Sequence, residues 1–146
     1  MSTAPGFSFV EGATSDLSFV AWGDTCEAAL AAAAEALLAA TVEDPAAVRG
    51  ELTRRVDLVE GDLDLLLLRL LNELVYLRDA EGLLLRARRV QLDPVPEGHR
   101  IQVDLIGEPW CPSRHAPGAE VKAATAHGLA LRVVDGRWEA RATLDV

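Results

Sequence analysis

The sequence predicts an α+β sandwich, with two helices packed on a largely antiparallel β-sheet. Three observations carry that reading. Two stretches, Ala29 to Ala40 and Leu63 to Leu77, repeat apolar residues at three- and four-residue steps. The runs around them alternate apolar and polar residues, as half-buried strands do. Asp135-Gly136 stands between the last two runs and is a strong signal for a two-residue hairpin. Strands and helices come first and an antiparallel run follows, which is the segregated order of α+β proteins. The 146 residues, half of them apolar, suit a single compact domain over 1–146.

Taken in order, Met1 to Gly6 is a small-residue stretch expected to be a loose tail. Phe7 to Val10 reads as a short strand and Glu11 to Ser15 as a loop. Leu17 to Trp22 is a strand with Leu17, Phe19 and Ala21 on one face. Asp24 or Thr25 caps the first helix, and Glu27 lies at capping-box distance from Asp24. That helix runs to about Ala40, and its alanines let it approach a sheet closely. Glu43-Asp44-Pro45 ends it. Leu52, Arg54, Val56 and Leu58 mark a strand of mixed polarity. Gly61-Asp62 opens the second helix, whose leucine stripe is wide enough for burial on more than one side. Glu81-Gly82 turns the chain into strands at Leu83 to Leu92 and Arg100 to Gly107, joined by a turn from Pro94 to Gly98. A loop from Gly107 to Gly118 precedes strands near Glu120 to Ala126, Leu129 to Val134 and Arg137 to Val146.

Fourteen basic residues against 23 acidic ones give a formal charge of −9. Broad, charge-driven binding to nucleic acid needs a basic footprint and is disfavoured. A basic partner or a cation suits this balance better, although Arg86, Arg88 and Arg89 form one local basic patch. Two cysteines, Cys26 and Cys111, do not suggest a secreted disulfide scaffold. The N-terminus lacks the pattern of a signal peptide. Asp64, Arg69, Asn72 and Glu73 interrupt the most apolar window, against a membrane span. The expected location is the cytoplasm.

Polar residues are dense in the last third of the chain. Asp16 and the penultimate Asp145 approach each other if the first and last strands are neighbours. With the oxygens at Val146 they would form an all-oxygen group suited to a hard cation. The plainer reading has Asp16 ending a turn and Asp145 facing water. Arg114, His115, Glu120 and Lys122 could line a polar cleft for a partner. His115 and His127 have no convincing nucleophile beside them, and hydrogen-bonded loop histidines are the simpler expectation. Cys111 with His115 falls far short of a four-ligand zinc site. No nucleotide-binding glycine pattern occurs.

In order along the chain, Thr14-Ser15-Asp16-Leu17, Leu71-Asn72-Glu73-Leu74, Asp79 to Leu83, Gly107-Glu108, Arg114-His115, Glu120 to Ala123 with Thr125 and His127-Gly128-Leu129, and Leu144-Asp145-Val146 resemble the archease family. Ala13 stands where the family's N-terminal signature has His, so that His contributes nothing here. The resemblance implies a cytoplasmic accessory protein, not itself an enzyme. It would promote guanylylation and multiple turnover of the GTP-dependent RNA-splicing ligase, in tRNA splicing or RNA repair. It implies a divalent cation, calcium first with magnesium or manganese as alternatives, at Asp16, Asp145 and the carbonyl of Val146. Contact with the ligase would fall to Arg114, His115, Glu120, Lys122 and His127, with RNA met only through the ligase and no membrane involved. The competing expectation is a chaperone-like or scaffold protein of the same fold without metal-dependent activation.

Overall fold

The computed structural model describes residues 4–10 and 16–146. The predicted loop Glu11 to Ser15, including Ala13, and the first three residues of the expected tail lie outside the described residues. Seven strands and two helices follow as β1 (Gly6–Val10), β2 (Leu17–Gly23), α1 (Cys26–Thr41), β3 (Leu52–Glu60), α2 (Leu63–Glu81), β4 (Leu83–Val95), β5 (Gly98–Pro109), β6 (Ala123–Val134) and β7 (Arg137–Asp145), with a 3-10 turn at Pro45–Ala47. All strand pairs are antiparallel. They form a four-stranded sheet in the order β1-β2-β7-β6 and a three-stranded sheet in the order β3-β5-β4.

Both helices touch both sheets, so they form a middle layer. This explains the alanines of α1. Ala29, Leu30, Ala32, Ala33, Ala34, Ala36, Leu37, Leu38 and Ala40 are all buried, an arc far wider than one amphipathic stripe. Small side chains let β2 approach from one side and β4 from the other. α2 buries Leu66, Leu67, Leu70, Leu71, Leu74, Val75 and Leu77, the leucine stripe of the sequence. One continuous core joins these faces to Phe19 and Ala21 of β2, Ile101, Val103 and Leu105 of β5, and Ala140, Ala142 and Leu144 of β7.

Several boundaries differ from the sequence expectation. Thr25, not Asp24, caps α1: its Oγ1 accepts from the Ala28 N–H at 3.0 Å. The capping box from Asp24 to Glu27 is therefore replaced by a simple hydroxyl cap. β4 continues through Pro94 to Val95, because the hairpin tightens to Pro96-Glu97. β5 runs on to Pro109, since Leu83 to Leu85 pair with Gly107 to Pro109. The two strands expected around His127-Gly128 are one strand, β6. It starts at Ala123 rather than Glu120 and absorbs an irregularity between Thr125 and Ala130, with Gly128 at φ 66°. Asp135-Gly136 forms the predicted hairpin, with φ of 50° and 80° as a type I′ turn requires.

Two glycines carry different constraints. Gly82 ends α2 in the left-handed conformation, φ 69°, with open space around its Cα. Gly107 has ordinary backbone angles, but a Cβ there would sit 1.8 Å from the Leu84 carbonyl oxygen. Gly82→Ala should cost about 1–2 kcal/mol, the strain of a side chain in that region. Gly107→Ala should cost more, because a whole strand pairing must shift. Urea unfolding of both variants checks the order; equal losses would contradict it.

Candidate functional site

The ladder between β2 and β7 ends with Leu17 opposite Leu144. One residue further on each strand stand Asp16 and Asp145, so the topology brings them to the same sheet end. Leu17 and Leu144 turn inward to the core. Strand alternation then assigns Asp16 and Asp145 to the outer face, with Ser18 and Thr143 two residues behind them. Those two hydroxyls are 2.8 Å apart, and Thr125 on β6 donates to the Thr143 carbonyl at 3.3 Å. A row of hydroxyls thus lies behind the carboxylates. The sequence reading missed Ser18, Thr125 and Thr143 as a group, because only the register aligns them; the signal was the choice of Ser and Thr at outward positions.

β6 closes the other side. Ala123 pairs with Asp145, and the Lys122 N–H donates to the Asp145 carbonyl at 2.7 Å. Asp145 and Val146 are half-buried, and Val146 packs on the core, while Asp16 is exposed. Asp145 therefore has a fixed backbone and a side chain at the surface. α2 holds β6 in place from inside. The Asn72 side chain bonds both backbone groups of Ala124, at 2.8 and 3.1 Å, doing for an edge strand what another strand would do. Arg78 donates to the Val121 carbonyl, and Asp64 accepts from the Leu131 N–H at 2.8 Å. The motif residue Asn72 thus acts as a clamp on the site's third strand.

The segment between β5 and β6 is anchored separately. Glu108 is fully buried. Its carboxylate takes both Arg114 guanidinium nitrogens, the Arg49 N–H at 2.6 Å and the His115 ring Nε2 at 3.0 Å. The Cys111 N–H donates to His115 Nδ1 at 2.8 Å, so the ring proton sits on Nε2 and points at Glu108. The Arg114 guanidinium, above all, holds the Glu108 carboxyl down at about 2, against the opposing effect of burial. Further on, the segment caps α1: Gly118 and Ala119 N–H groups donate to the Thr41 and Ala40 carbonyls at 2.9 and 2.7 Å.

The candidate residues for partner contact therefore do not share one cleft. Arg114 and His115 wrap around Glu108, and His115 is 2 % exposed. Glu120 lines a cavity of about 490 Å³ with Arg78, Asp79, Gly82 and Trp110. Lys122 and His127 are exposed along β6 and its approach. Among the described residues, no three His, Cys, Asp or Glu side chains gather as a metal cluster. The candidate centre rests on two carboxylates plus backbone oxygen, a donor set that fits a hard cation and no soft one. Cys26 and Cys111 are both free, and burial pushes the Cys26 thiol up to about 12. Among the described residues no helix is long and apolar enough to cross a membrane.

These features define a class: a small α+β sandwich with a helical middle layer and a paired-carboxylate sheet end. The solution structure of Methanobacterium thermoautotrophicum protein 1598 matches with a TM-score of 0.85 at 31% identity, covering 97% of this chain and 99% of that one. The crystal structure of a Thermotoga maritima protein described as an archease and possible chaperone shares the fold, with a TM-score of 0.60 at 17% identity and 94% of each chain covered. The model of the archease protein family (MTH1598/TM1083) matches residues 7–146. Proteins named archease from Pyrococcus abyssi and Pyrococcus furiosus are 34% and 36% identical over 134 and 138 residues, covering 91% of this chain and 94% of each relative. This chain belongs to the archease family.

The Glu108 cluster predicts a pH signature. Its carboxyl is held below its unfolded value of 4.5, so its contribution to stability is full above about 4.5 and is lost as pH falls towards about 2. Glu108→Gln should lower the melting temperature at pH 7, and the gap from the unmodified protein should close between pH 4.5 and 2. Thermal unfolding across that range checks it; a gap independent of pH would contradict the ion cluster.

Proposed function

We propose that this protein is an accessory factor of the GTP-dependent RNA-splicing ligase, promoting its guanylylation and multiple turnover in tRNA splicing or RNA repair. Family membership supports the reading. The observation that carries it is the placement of Asp16 and Asp145 at one sheet end, beside Val146 and backed by hydroxyls. Asp16, Asp145 and the Val146 carbonyl would hold a divalent cation, calcium first, with magnesium or manganese as alternatives. Such a cation, when bound, supplies positive charge for phosphate oxygens. This chain's own residues do the rest. The Lys122 N–H fixes the Asp145 backbone, Asn72 and Arg78 fix the chain on either side of Lys122, and the carboxylates face outward where a partner can meet them. Glu120, Lys122 and His127 are exposed on β6 and the chain leading into it, where they can add contacts to a partner. A surplus of nine negative charges suits docking on a basic, RNA-binding enzyme of the cytoplasm.

The test is ligase guanylylation from GTP under multiple-turnover conditions, with and without this protein. The unmodified chain should raise the rate. Asp16→Ala and Asp145→Ala should each remove at least about tenfold of the stimulation, in keeping with loss of a ligand or its partner, while melting temperatures stay within a few degrees. Stimulation that survives both substitutions would favour a chaperone-like or scaffold role of the same fold.

A further inference from the structure

The predicted basic patch resolves into two different things. Arg86 is engaged inside the molecule: it pairs with Glu35 at 3.2 Å and donates to the Val48 and Pro45 carbonyls at 3.0 and 2.7 Å. Arg88 and Arg89 remain outside. Between Ala87 and Arg89 the β4–β5 register shifts by one, so that Arg88 is an extra residue on β4. A bulge of this kind lets two successive side chains emerge together, where a regular strand would send them to opposite faces. Across the sheet, Arg89 pairs with Asp104 of β5, and Asp104 pairs with Arg55 of β3. The result is a groove of about 600 Å³ lined by Thr53, Arg54, Arg55, Arg88, Arg89 and Asp104, floored by Leu105.

The charges in this groove do not cancel. Arg54 is tied to Glu81 at 3.2 Å. Arg55 and Asp104 approach only to 3.8 Å, with both side chains about half exposed. Among the described residues, the side chains of Arg88 and Arg89 make no hydrogen bond or ion pair. Three guanidinium groups thus converge on a groove holding one carboxylate, in a chain of net charge −9. The groove also lacks an apolar anchor. Leu105 is wholly buried, and the large exposed apolar residues Phe9, Val10, Leu65, Tyr76 and Val133 lie on other elements, with Val59 at the far end of β3. A docking site for protein needs an apolar or aromatic centre. Arginine and threonine without one match phosphate oxygens, which are contacted for position and not for sequence. From β3 to β4 is about 10 Å at ordinary strand spacing, so the guanidinium groups can contact a short stretch of one phosphodiester backbone.

We propose that this groove binds the phosphodiester backbone of single-stranded nucleic acid, without reading its sequence. The contact is made by this chain directly, in addition to any made through a ligase, and it does not rest on the ligase reading. The net negative charge keeps it short and local.

Fluorescence anisotropy of a labelled ten-nucleotide single-stranded RNA, with the full chain and no ligase, tests it. Binding at 50 mM salt should have a Kd of about 100 µM or tighter, and log K should fall with log salt at a slope of about −2, for three contacts at about −0.7 each. R88Q/R89Q should raise Kd at least about fivefold and flatten the slope towards −0.7. Arg100→Gln, on the same sheet face but paired with Asp57 outside the groove, should change Kd by less than about twofold. Circular dichroism verifies the fold of each variant, and Arg88→Gln alone, at the extra residue of the bulge, serves if the double variant does not fold. No binding at 50 mM salt overturns the proposal, as does binding indifferent to Arg88 and Arg89. A poly-glutamate peptide that binds more tightly than the RNA, with the same arginine dependence, would also overturn it and make the groove a protein-docking surface.

Discussion

The burial of α1 between two sheets is the constraint on which the rest of the structure depends. Among the described residues the two sheets share no ladder, and the helices pack between them. α1 does this by being thin. Ala33 and Ala36 are fully buried, and the close approaches extend to the flanking chain, where a Cβ on Gly23 would meet the Ala28 Cβ at 2.5 Å. Enlarging any of these positions would push a sheet outward, and close-packed interiors resist such displacement. α2 adds a stripe of buried leucines. It also adds polar fingers, Asp64, Asn72 and Arg78, that reach backbone groups on or beside β6. A helix that packs by leucine and grips by amide and guanidinium can place a strand edge more narrowly than apolar contact alone.

From that frame come two opposite electrostatic ends. On the four-stranded sheet, the two central strands carry carboxylates at one end of the outer face. On the three-stranded sheet, a bulge turns two arginines outward beside a third. The buried Glu108 belongs to neither. Its bonds to Arg114, His115 and the Arg49 backbone tie the segment after β5 to the chain before β3, and that segment then reaches the α1 carbonyls and returns as β6. A buried carboxylate is costly unless its lone pairs are filled, and here four donors fill them. The cluster thus links the middle layer to the strand that flanks Asp145.

Much of this was legible in the sequence. Helical spacing located α1 and α2, alternation located β5, and Asp135-Gly136 located the last hairpin, because each is a local periodic or steric signal. The approach of Asp16 to Asp145 was expected from neighbouring first and last strands, whereas it is the second strand, β2, that lies beside β7 and brings the two residues to one sheet end. What was not legible depends on register. Ser18, Thr125 and Thr143 align only once β2, β7 and β6 are paired. His115 was expected either as a hydrogen-bonded loop histidine or as part of a polar cleft for a partner; it is the former, buried against a carboxylate seven positions away that only the folded chain reveals. Arg86 and Arg88 look alike as a local patch, and only the bulge and the nearness of Glu35 separate their fates. The gap at His127-Gly128 read as a strand break because a glycine with positive φ ends most strands, whereas here the β6–β7 ladder resumes beyond it.

The cation proposed at the sheet end formed by Asp16, Asp145 and Val146 can be located directly. Anomalous diffraction from crystals grown with manganese tests it most directly. A cation there gives an anomalous peak within coordination distance, about 2.0–2.6 Å, of oxygens from Asp16, Asp145 and Val146, absent in crystals of Asp145→Asn. A fully occupied peak elsewhere, or none at this sheet end at millimolar manganese, would contradict it.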